Sequence, residues 1–192
     1  MLEFEKKVML TPEEYALLKE YSRTAAKDIV QINFYYDTDD LAGNRKGVTC
    51  RIRETDGICT ATVKVHRPNG GECSAEHARP VQDRYDDELF TGRGLSCQGY
   101  LKTYRSICTP SAGVKVMLDR SVYLGTTDYE LEIEYDRDRE SFAREVLNRI
   151  ASLFVQKGML TGIGDFSARI GQGGHKSERF FRRRAETERR QP

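Results

Sequence analysis

Polar and apolar residues alternate one by one along much of the chain, as they do in strands whose two faces meet different surroundings. Turn sequences such as Asp56-Gly57 and Pro68-Asn-Gly-Gly71 separate these stretches. We predict eight strands, at residues 2–9, 31–37, 47–54, 59–66, 72–78, 101–107, 113–120 and 128–135. Eight short strands with few helices between them predict a mainly antiparallel sheet that is closed or nearly closed.

Helical periodicity is confined to a few segments. Thr11-Pro-Glu-Glu14 is a capping box of the kind that starts a helix. Between Ser141 and Lys157, apolar residues recur every three or four positions, which predicts an amphipathic helix that stops at Gly158. Weaker patterns predict a short helix near 83–90 and a helix with a basic face over 176–190.

Composition excludes several classes of protein. The 192 residues suit one domain, and no segment approaches the ~20 apolar residues of a membrane-spanning helix. The charged N-terminus is unlike a secretory signal peptide. Because 31 basic residues nearly balance 30 acidic ones, a globally basic nucleic-acid binder is not expected. The five cysteines form no CxxC pair, which favours reduced thiols and a cytoplasmic protein.

Charged residues of one sign share a face in several of these strands. Residues two apart in a strand point the same way, so Glu130, Glu132 and Glu134 lie on one face. Arg51 and Arg53 likewise share a face. The simplest explanation is a sheet with one solvated face. Rows of like charge repel one another on such a surface, however, and become favourable if a ligand neutralises them.

The two signs of charge favour different ligands. Carboxylates without His or Cys suit a hard divalent cation, Mg²⁺ or Mn²⁺. Arginine and lysine side chains suit phosphate oxygens. Both sets on one surface favour a polyphosphate bound together with a divalent metal. If the sheet closes with its charged face inward, the site is a polar tunnel and the helices cover the apolar outside.

The charged residues of this pattern belong to short motifs that follow one another in a fixed order along the chain. The first motif is Glu3-Phe-Glu5-Lys-Lys7, an N-terminal ExExK. The others follow in the order 33–38, 49–53, 63–64, 76, 104–105, 117–120, 129–134 and 176–181. In residue type and order they resemble the tunnel strands and C-terminal basic motif of the CYTH superfamily, the triphosphate tunnel metalloenzymes. The resemblance extends from Leu2 to Phe181.

This resemblance implies an α+β fold built on an eight-stranded, closed antiparallel barrel, with a charged lumen and helices packed outside. It implies a tunnel domain over 1–181 and a basic tail over 182–192. The matching metal-associated acids are Glu3, Glu5, Glu130, Glu132 and Glu134. The matching phosphate-binding residues are Lys7, Arg51, Arg53, Lys64, Arg105 and Lys176. Two further tunnel acids, Glu76 and Asp119, would orient basic side chains or water.

The activity implied by the resemblance is metal-dependent hydrolysis of a small triphosphate to a diphosphate and phosphate. Inorganic tripolyphosphate is favoured over thiamine triphosphate, since Trp is absent and no aromatic clamp for an organic group is evident. The catalytic candidates are Glu132 and Glu134, which would hold the metal or orient water, with Lys64 as a rival general base.

Several alternatives stay open at this point. A class IV-type adenylate cyclase would share the tunnel, but the His-Phe motif typical of that branch is absent near the ExExK. A binding module for polyphosphate or nucleotide would need no catalysis, and a homodimer is compatible with the sequence. Lys176 and Arg179 could instead belong to a solvated basic tail. Phe180 and Phe181, followed by three arginines, could bind RNA or an anionic membrane, or simply pin a helix end.

Overall fold

The structure is a computed structural model that describes residues 2–24, 26–66 and 73–189, apart from the side chains of residues 2, 3 and 73–75. Eight strands form its sheet: β1 (Leu2–Met9), β2 (Lys27–Asp37), β3 (Val48–Thr55), β4 (Ile58–His66), β5 (Cys73–Val81), β6 (Ser96–Ser111), β7 (Val114–Tyr123) and β8 (Thr126–Tyr135). The helices are α1 (Pro12–Ser22), α2 (Ala42–Arg45), α3 (Glu88–Thr91), α4 (Glu140–Gln156), α5 (Ile163–Ser167) and α6 (Lys176–Glu188), with a 3₁₀ turn at Arg137–Arg139.

The strands pair antiparallel in the order β1–β5–β4–β3–β2–β6–β7–β8, and β8 pairs in turn with β1. The β1–β5 ladder is the shortest, with Leu2, Glu3 and Phe4 opposite Ala75, Ser74 and Cys73. The β2–β6 ladder is far longer and extends from Lys27 to Asp37. The expected α+β fold with an eight-stranded, mainly antiparallel sheet is thus confirmed.

Several elements differ in extent from their predicted bounds. β2 and β6 begin earlier than expected because they pair with each other along the whole of β2, which stabilises polar positions that lack a strand pattern. Near 83–90 only Glu88–Thr91 is helical. The Asp83 carboxylate accepts hydrogen bonds from the backbone N–H groups of Tyr85 and Asp86, and this local turn competes with a helix. The short helices α2 and α5 were not predicted.

The two predicted long helices cover the apolar face of the sheet. The α1 capping box is present, since Thr11 Oγ1 accepts from the Glu14 N–H at 3.2 Å and Glu14 Oε2 accepts from the Thr11 N–H at 2.8 Å. From α4, the buried side chains of Leu147 and Phe154 join a core with Leu131 and other residues of β1, β7 and β8. Packing of this kind leaves the opposite, charged face of the sheet turned away from α1 and α4.

Helix α6 is the exception, because it packs on the charged face. Phe180 and Phe181 are buried against Tyr35 and Tyr123, with ring centroids of Tyr35 and Phe180 4.9 Å apart. Gly99 makes room for this contact, since a Cβ there would lie 3.1 Å from Phe180 Cζ and its φ is +123°. Phe180 and Phe181 therefore pin this helix to the sheet and do not form an exposed surface.

The C-terminal basic residues continue the same helix. α6 passes through the expected boundary at 181/182 without interruption. Arg183 and Arg184 pair within the helix with Glu186 and Glu188, and Arg182 is exposed. Among the described residues, no helix combines the length and the apolar character needed to cross a membrane.

The substitution Phe180→Ala tests the docking of α6. We expect the free energy of unfolding to fall by about 3–5 kcal/mol, because a fully buried ring is replaced by a cavity. Urea titration followed by circular dichroism measures this change. Arg182→Ala, at an exposed position of the same helix, is the control and should change stability by less than about 0.5 kcal/mol. Equal losses in the two variants would contradict the burial of Phe180 beneath α6.

Candidate functional site

One side of the charged face is a wall of carboxylates from β1, β7 and β8. Glu5, Glu130 and Glu132 point to this charged face because period-two alternation places them opposite the apolar residues that face α4. Register brings Glu5 directly opposite Glu134 and Asp119 opposite Glu130. Asp119 and Glu130 are almost inaccessible to water, at 0% and 1% exposure. Such burial requires each carboxylate to have a cationic or hydrogen-bonding partner.

Two cations of the sheet itself neutralise part of this acidic wall. Lys7 Nζ lies 3.0 Å from both Glu5 Oε1 and Glu132 Oε1. The Arg105 guanidinium makes a bidentate pair with Asp119, at 2.8 and 2.7 Å, and also donates to Glu132 Oε2 at 2.7 Å. Glu132 is therefore the carboxylate shared by both cations.

Helix α6 supplies two more cations. The Lys176 ammonium lies 2.5 Å from Glu130 Oε2, 3.0 Å from Asp119 Oδ2 and 3.2 Å from Glu132 Oε2. One turn later, Arg179 donates to Glu130 Oε2 at 2.9 Å and to an Asp128 oxygen at 2.8 Å. The side chains of Lys176 and Arg179 are only 12% and 5% exposed. The solvated-tail alternative is wrong for both residues.

Three of the predicted metal-associated acids come together. Single carboxylate oxygens of Glu5, Glu132 and Glu134 all lie within 4.8 Å of one another, a spacing that could hold a metal ion. An oxygen-only donor set of this kind suits a hard divalent cation. Glu130 lies outside this group and is engaged by α6 instead. The side chain of Glu3 is outside the described residues.

The carboxylates of this group differ in their affinity for protons. Burial, reinforced by the neighbouring Glu132, raises the pKa of Glu5 above its ordinary value. Burial acts in the same direction on Glu132, but Lys176, Lys7 and Arg105 outweigh it and hold its pKa well below the ordinary value. Glu132 is therefore an anion at neutral pH, as a metal ligand must be.

The other side of the charged face is basic. Arg51 and Arg53 come from β3 and Lys64 from β4. Glu76 Oε2 lies 3.6 Å from Arg51 Nη2 and 3.7 Å from Lys64 Nζ. Among the described residues, the buried Arg51 Nε has no hydrogen-bond partner. Burial, followed by repulsion from Arg51 and Arg105, lowers the pKa of Arg53 to about 9. An anion is the ligand that this arrangement favours.

Contacts between distant segments complete the pocket between the two walls. The rings of His66 and His175 stack with centroids 3.8 Å apart, and Thr49 Oγ1 donates to Ser177 Oγ at 2.9 Å. Burial, and secondarily the neighbouring His175, lowers the pKa of His66 to about 3; burial and Lys7 lower that of His175 to about 4. Both rings are thus neutral near pH 7. The sequence carries no local signal for this pairing.

The pocket enclosed by these residues has a volume of about 80 Å³ and is bordered by Arg51, Arg53, Glu132, Glu134 and Lys176. A larger cavity of about 830 Å³ lies on the outside of the sheet between α1 and α4. Its lining is mainly apolar and includes Leu118 and Leu153, so it is unrelated to the charged groups.

The CYTH domain matches residues 1–160 of this chain. A Bacillus subtilis (strain 168) protein named "Putative triphosphatase YjbK" is 28% identical over 183 aligned residues, covering 81% of this chain and 96% of the relative.

Solved structures share the fold. A "putative adenylate cyclase" from Bacillus halodurans has a TM-score of 0.60 at 25% identity, over 78% of this chain and 89% of that one. HpAC1 from Hippeastrum, described as a "putative adenylyl cyclase" with a dominant triphosphatase activity, has a TM-score of 0.61 at 18% identity, over 82% of this chain and 88% of that one.

Glu130→Gln tests the electrostatics of the acidic wall. Although burial opposes it, Lys176 and Arg179 hold the pKa of Glu130 at about 2, against an ordinary 4.5. A lowered carboxyl pKa stabilises the fold above pH 4.5, and this contribution is lost as the pH falls towards 2. We therefore expect the variant to be less stable near neutral pH, on the order of 3 kcal/mol.

The diagnostic feature of this experiment is its pH dependence. The stability gap between the two proteins should shrink as the pH is lowered from about 7 to about 3, as measured by denaturant unfolding. Glu145→Gln, at an exposed position of α4, should show almost no gap at any pH. A difference in stability between Glu130→Gln and the wild type that stays constant with pH would contradict the stabilisation of the Glu130 anion by Lys176 and Arg179.

Proposed function

We propose that this chain, which belongs to the CYTH domain family, is a metal-dependent triphosphatase. Its substrate in this proposal is a small triphosphate, with inorganic tripolyphosphate favoured over thiamine triphosphate. Water would attack a terminal phosphorus, the P–O bond to the bridging oxygen would break, and the products would be phosphate and a diphosphate. Triphosphatase is named for the Bacillus subtilis relative and for HpAC1, and adenylate cyclase for the Bacillus halodurans neighbour; these activities belong to those proteins.

The observation that carries this proposal is the opposition of two unlike walls across one pocket. One wall groups Glu5, Glu132 and Glu134 closely enough to hold a divalent cation. The other presents Arg51 and Arg53, whose charges are incompletely neutralised. A metal-bound polyphosphate anion complements both walls together, whereas a free cation or a free anion complements only one.

The chain's own residues have distinct roles in this reaction. Arg51, Arg53 and Lys64 would bind the phosphate chain and disperse its developing charge. On the acidic wall we assign phosphate contacts to Lys7, Arg105 and Lys176, all of which already lie against Glu132. Glu76 and Asp119 would hold these cations in place, through Lys64 and Arg105 respectively. When bound, Mg²⁺ or Mn²⁺ would supply Lewis-acid polarisation of the phosphate oxygens.

The general base is assigned among the three catalytic candidates. Glu132 has a strongly lowered pKa, so it suits a permanent ligand better than a proton acceptor. Lys64 lies 3.7 Å from Glu76, an ion pair that favours its use as a phosphate-binding cation. We therefore assign Glu134 to orient the attacking water and accept its proton.

Two further features belong to this proposal. The ring of strand pairings would enclose the substrate as a closed tunnel, with residues 1–181 as its domain.

A cytoplasmic location agrees with the cysteines, since Cys50, Cys59, Cys97 and Cys108 are all free.

The first experiment measures phosphate release from tripolyphosphate, thiamine triphosphate, ATP and pyrophosphate, each with Mg²⁺, Mn²⁺ or EDTA. We expect metal-dependent release, fastest from tripolyphosphate. Cyclic AMP formed from ATP would replace the proposal by a cyclase. Metal-dependent binding without release from any substrate would replace it by a binding module.

Glu132→Gln should lower turnover of tripolyphosphate about 100-fold or more and weaken Mn²⁺ binding, because it removes a charged ligand shared by the metal group. Steady-state phosphate release and metal titration measure the two effects. Glu20→Gln, an exposed position on α1, is the matched control. Normal turnover with normal metal dependence in Glu132→Gln would remove this residue from the mechanism.

Substitutions on the basic wall should separate substrate binding from metal binding. Arg51→Ala and Arg53→Ala are each expected to raise the KM for tripolyphosphate by about 10-fold or more, through loss of a charged hydrogen bond. Their Mn²⁺ affinity without substrate should not fall, since, among the contacts of the described residues, Arg51 pairs with Glu76 and Arg53 with Asn33. Arg79→Ala, an exposed position of β5, serves as control. A loss of metal affinity with unchanged KM would reverse the assignment of the two walls.

A further inference from the structure

The Lys176 ammonium lies where a cation of higher charge could otherwise be held. It is within 2.5–3.2 Å of oxygens from three carboxylates, Asp119, Glu130 and Glu132. These carboxylates come from two adjacent strands, whereas Lys176 comes from the first turn of α6. A lysine in such a position is an internal counter-ion, covalently attached to the helix that brings it.

This lysine lies directly beside the proposed metal group. Glu132 belongs to both sets, since it forms part of the group with Glu5 and Glu134 and also contacts Lys176 through Oε2. In enzymes that use two metal ions, the ions are about 3.5–4 Å apart and act together on one phosphoryl group. A carboxylate shared between two neighbouring cation positions is what such a pair requires.

We propose that Lys176 takes the place of a second metal ion, so that this protein binds one divalent cation per chain. The single ion is held by Glu5, Glu132 and Glu134, with Lys7 bridging Glu5 and Glu132 beside it. The Lys176 ammonium fills the adjoining position between Asp119, Glu130 and Glu132. This inference rests on the proposed function only for the existence of the first metal position.

The second position has the features of a cation site once Lys176 is removed. Glu130 is 1% exposed, and among the described residues its Oε1 has no hydrogen-bond partner. An unpartnered, fully buried carboxylate oxygen is costly unless a cation or water satisfies it. Asp119 and Glu132 would each lose one cationic neighbour in the same substitution while keeping Arg105.

The docking of α6 does not depend on Lys176 alone. Phe180 and Phe181 hold the helix in the apolar part of the charged face, and Arg179 retains its contacts with Asp128 and Glu130. A neutral residue at 176 can therefore be examined in the folded, full-length protein. Lys176→Met keeps much of the side chain's length and removes its charge.

The experiment counts bound Mn²⁺ by titration and examines the ions by electron paramagnetic resonance. The wild type should bind one Mn²⁺ per chain and show the spectrum of an isolated ion. Lys176→Met should bind two and show spin coupling between them, a doubling of the stoichiometry. Lys176→Arg, which keeps the charge, and Arg182→Met, which removes an exposed charge from the same helix, should each bind one. Lys176→Gln provides a second neutral variant if the methionine variant does not fold.

Two coupled ions in the wild type would overturn the inference, and so would a single ion in a folded neutral variant. Absence of any bound Mn²⁺ in the wild type would overturn it together with the proposed metal group. Phosphate release is measured separately on the same preparations. A protein that shows the expected change from one ion to two but releases no phosphate would retain this inference and lose the proposed triphosphatase activity.

Discussion

The burial of charge within the sheet is the constraint on which the rest of this structure depends. Asp119 and Glu130 are almost inaccessible to water, where an unpaired carboxylate would cost several kcal/mol. Their partners come from separate parts of the chain, Arg105 from β6 and Lys176 from α6. The docking of α6 on the charged face therefore satisfies electrostatics as well as the packing of Phe180. Fold and site cannot be separated here, because the same contacts maintain both.

The buried charges of the two walls of the pocket are neutralised to different extents. Four cations, Lys7, Arg105, Lys176 and Arg179, pair with the acidic wall. On the same wall Glu5, Glu132 and Glu134 lie close enough together to hold a metal ion. On the basic wall Glu76 lies near Arg51 and Lys64, and burial lowers the pKa of Arg53 even though guanidinium groups ordinarily resist deprotonation. The acidic wall thus keeps an excess of negative charge and the basic wall an excess of positive charge. A polyphosphate bound with a divalent cation would relieve both imbalances at once.

Part of the site lies beyond the region matched by the CYTH domain. The match ends at residue 160, whereas Lys176 and Arg179 are on α6. Their contacts with Glu130 and Glu132 make the C-terminal helix part of the charged face rather than an appendage. The structural neighbours from Bacillus halodurans and Hippeastrum share the fold over about four fifths of this chain.

Local patterns in the sequence determined the direction in which side chains point. Alternation placed Glu130, Glu132 and Glu134 on one face, and Thr11 with Glu14 started α1, because both features depend on residues only a few positions apart. The eight strands were predicted on the same basis, although the ends of β2 and β6 were set by pairing with each other. Only the tertiary structure decided which buried charges meet. Glu130 joins Lys176 instead of the metal group, and His66 stacks on His175, because strands and a helix distant in the chain converge there. The residues next to a charged side chain in the sequence do not indicate its partner. The electrostatic energy depends on distance in space and not on separation in sequence.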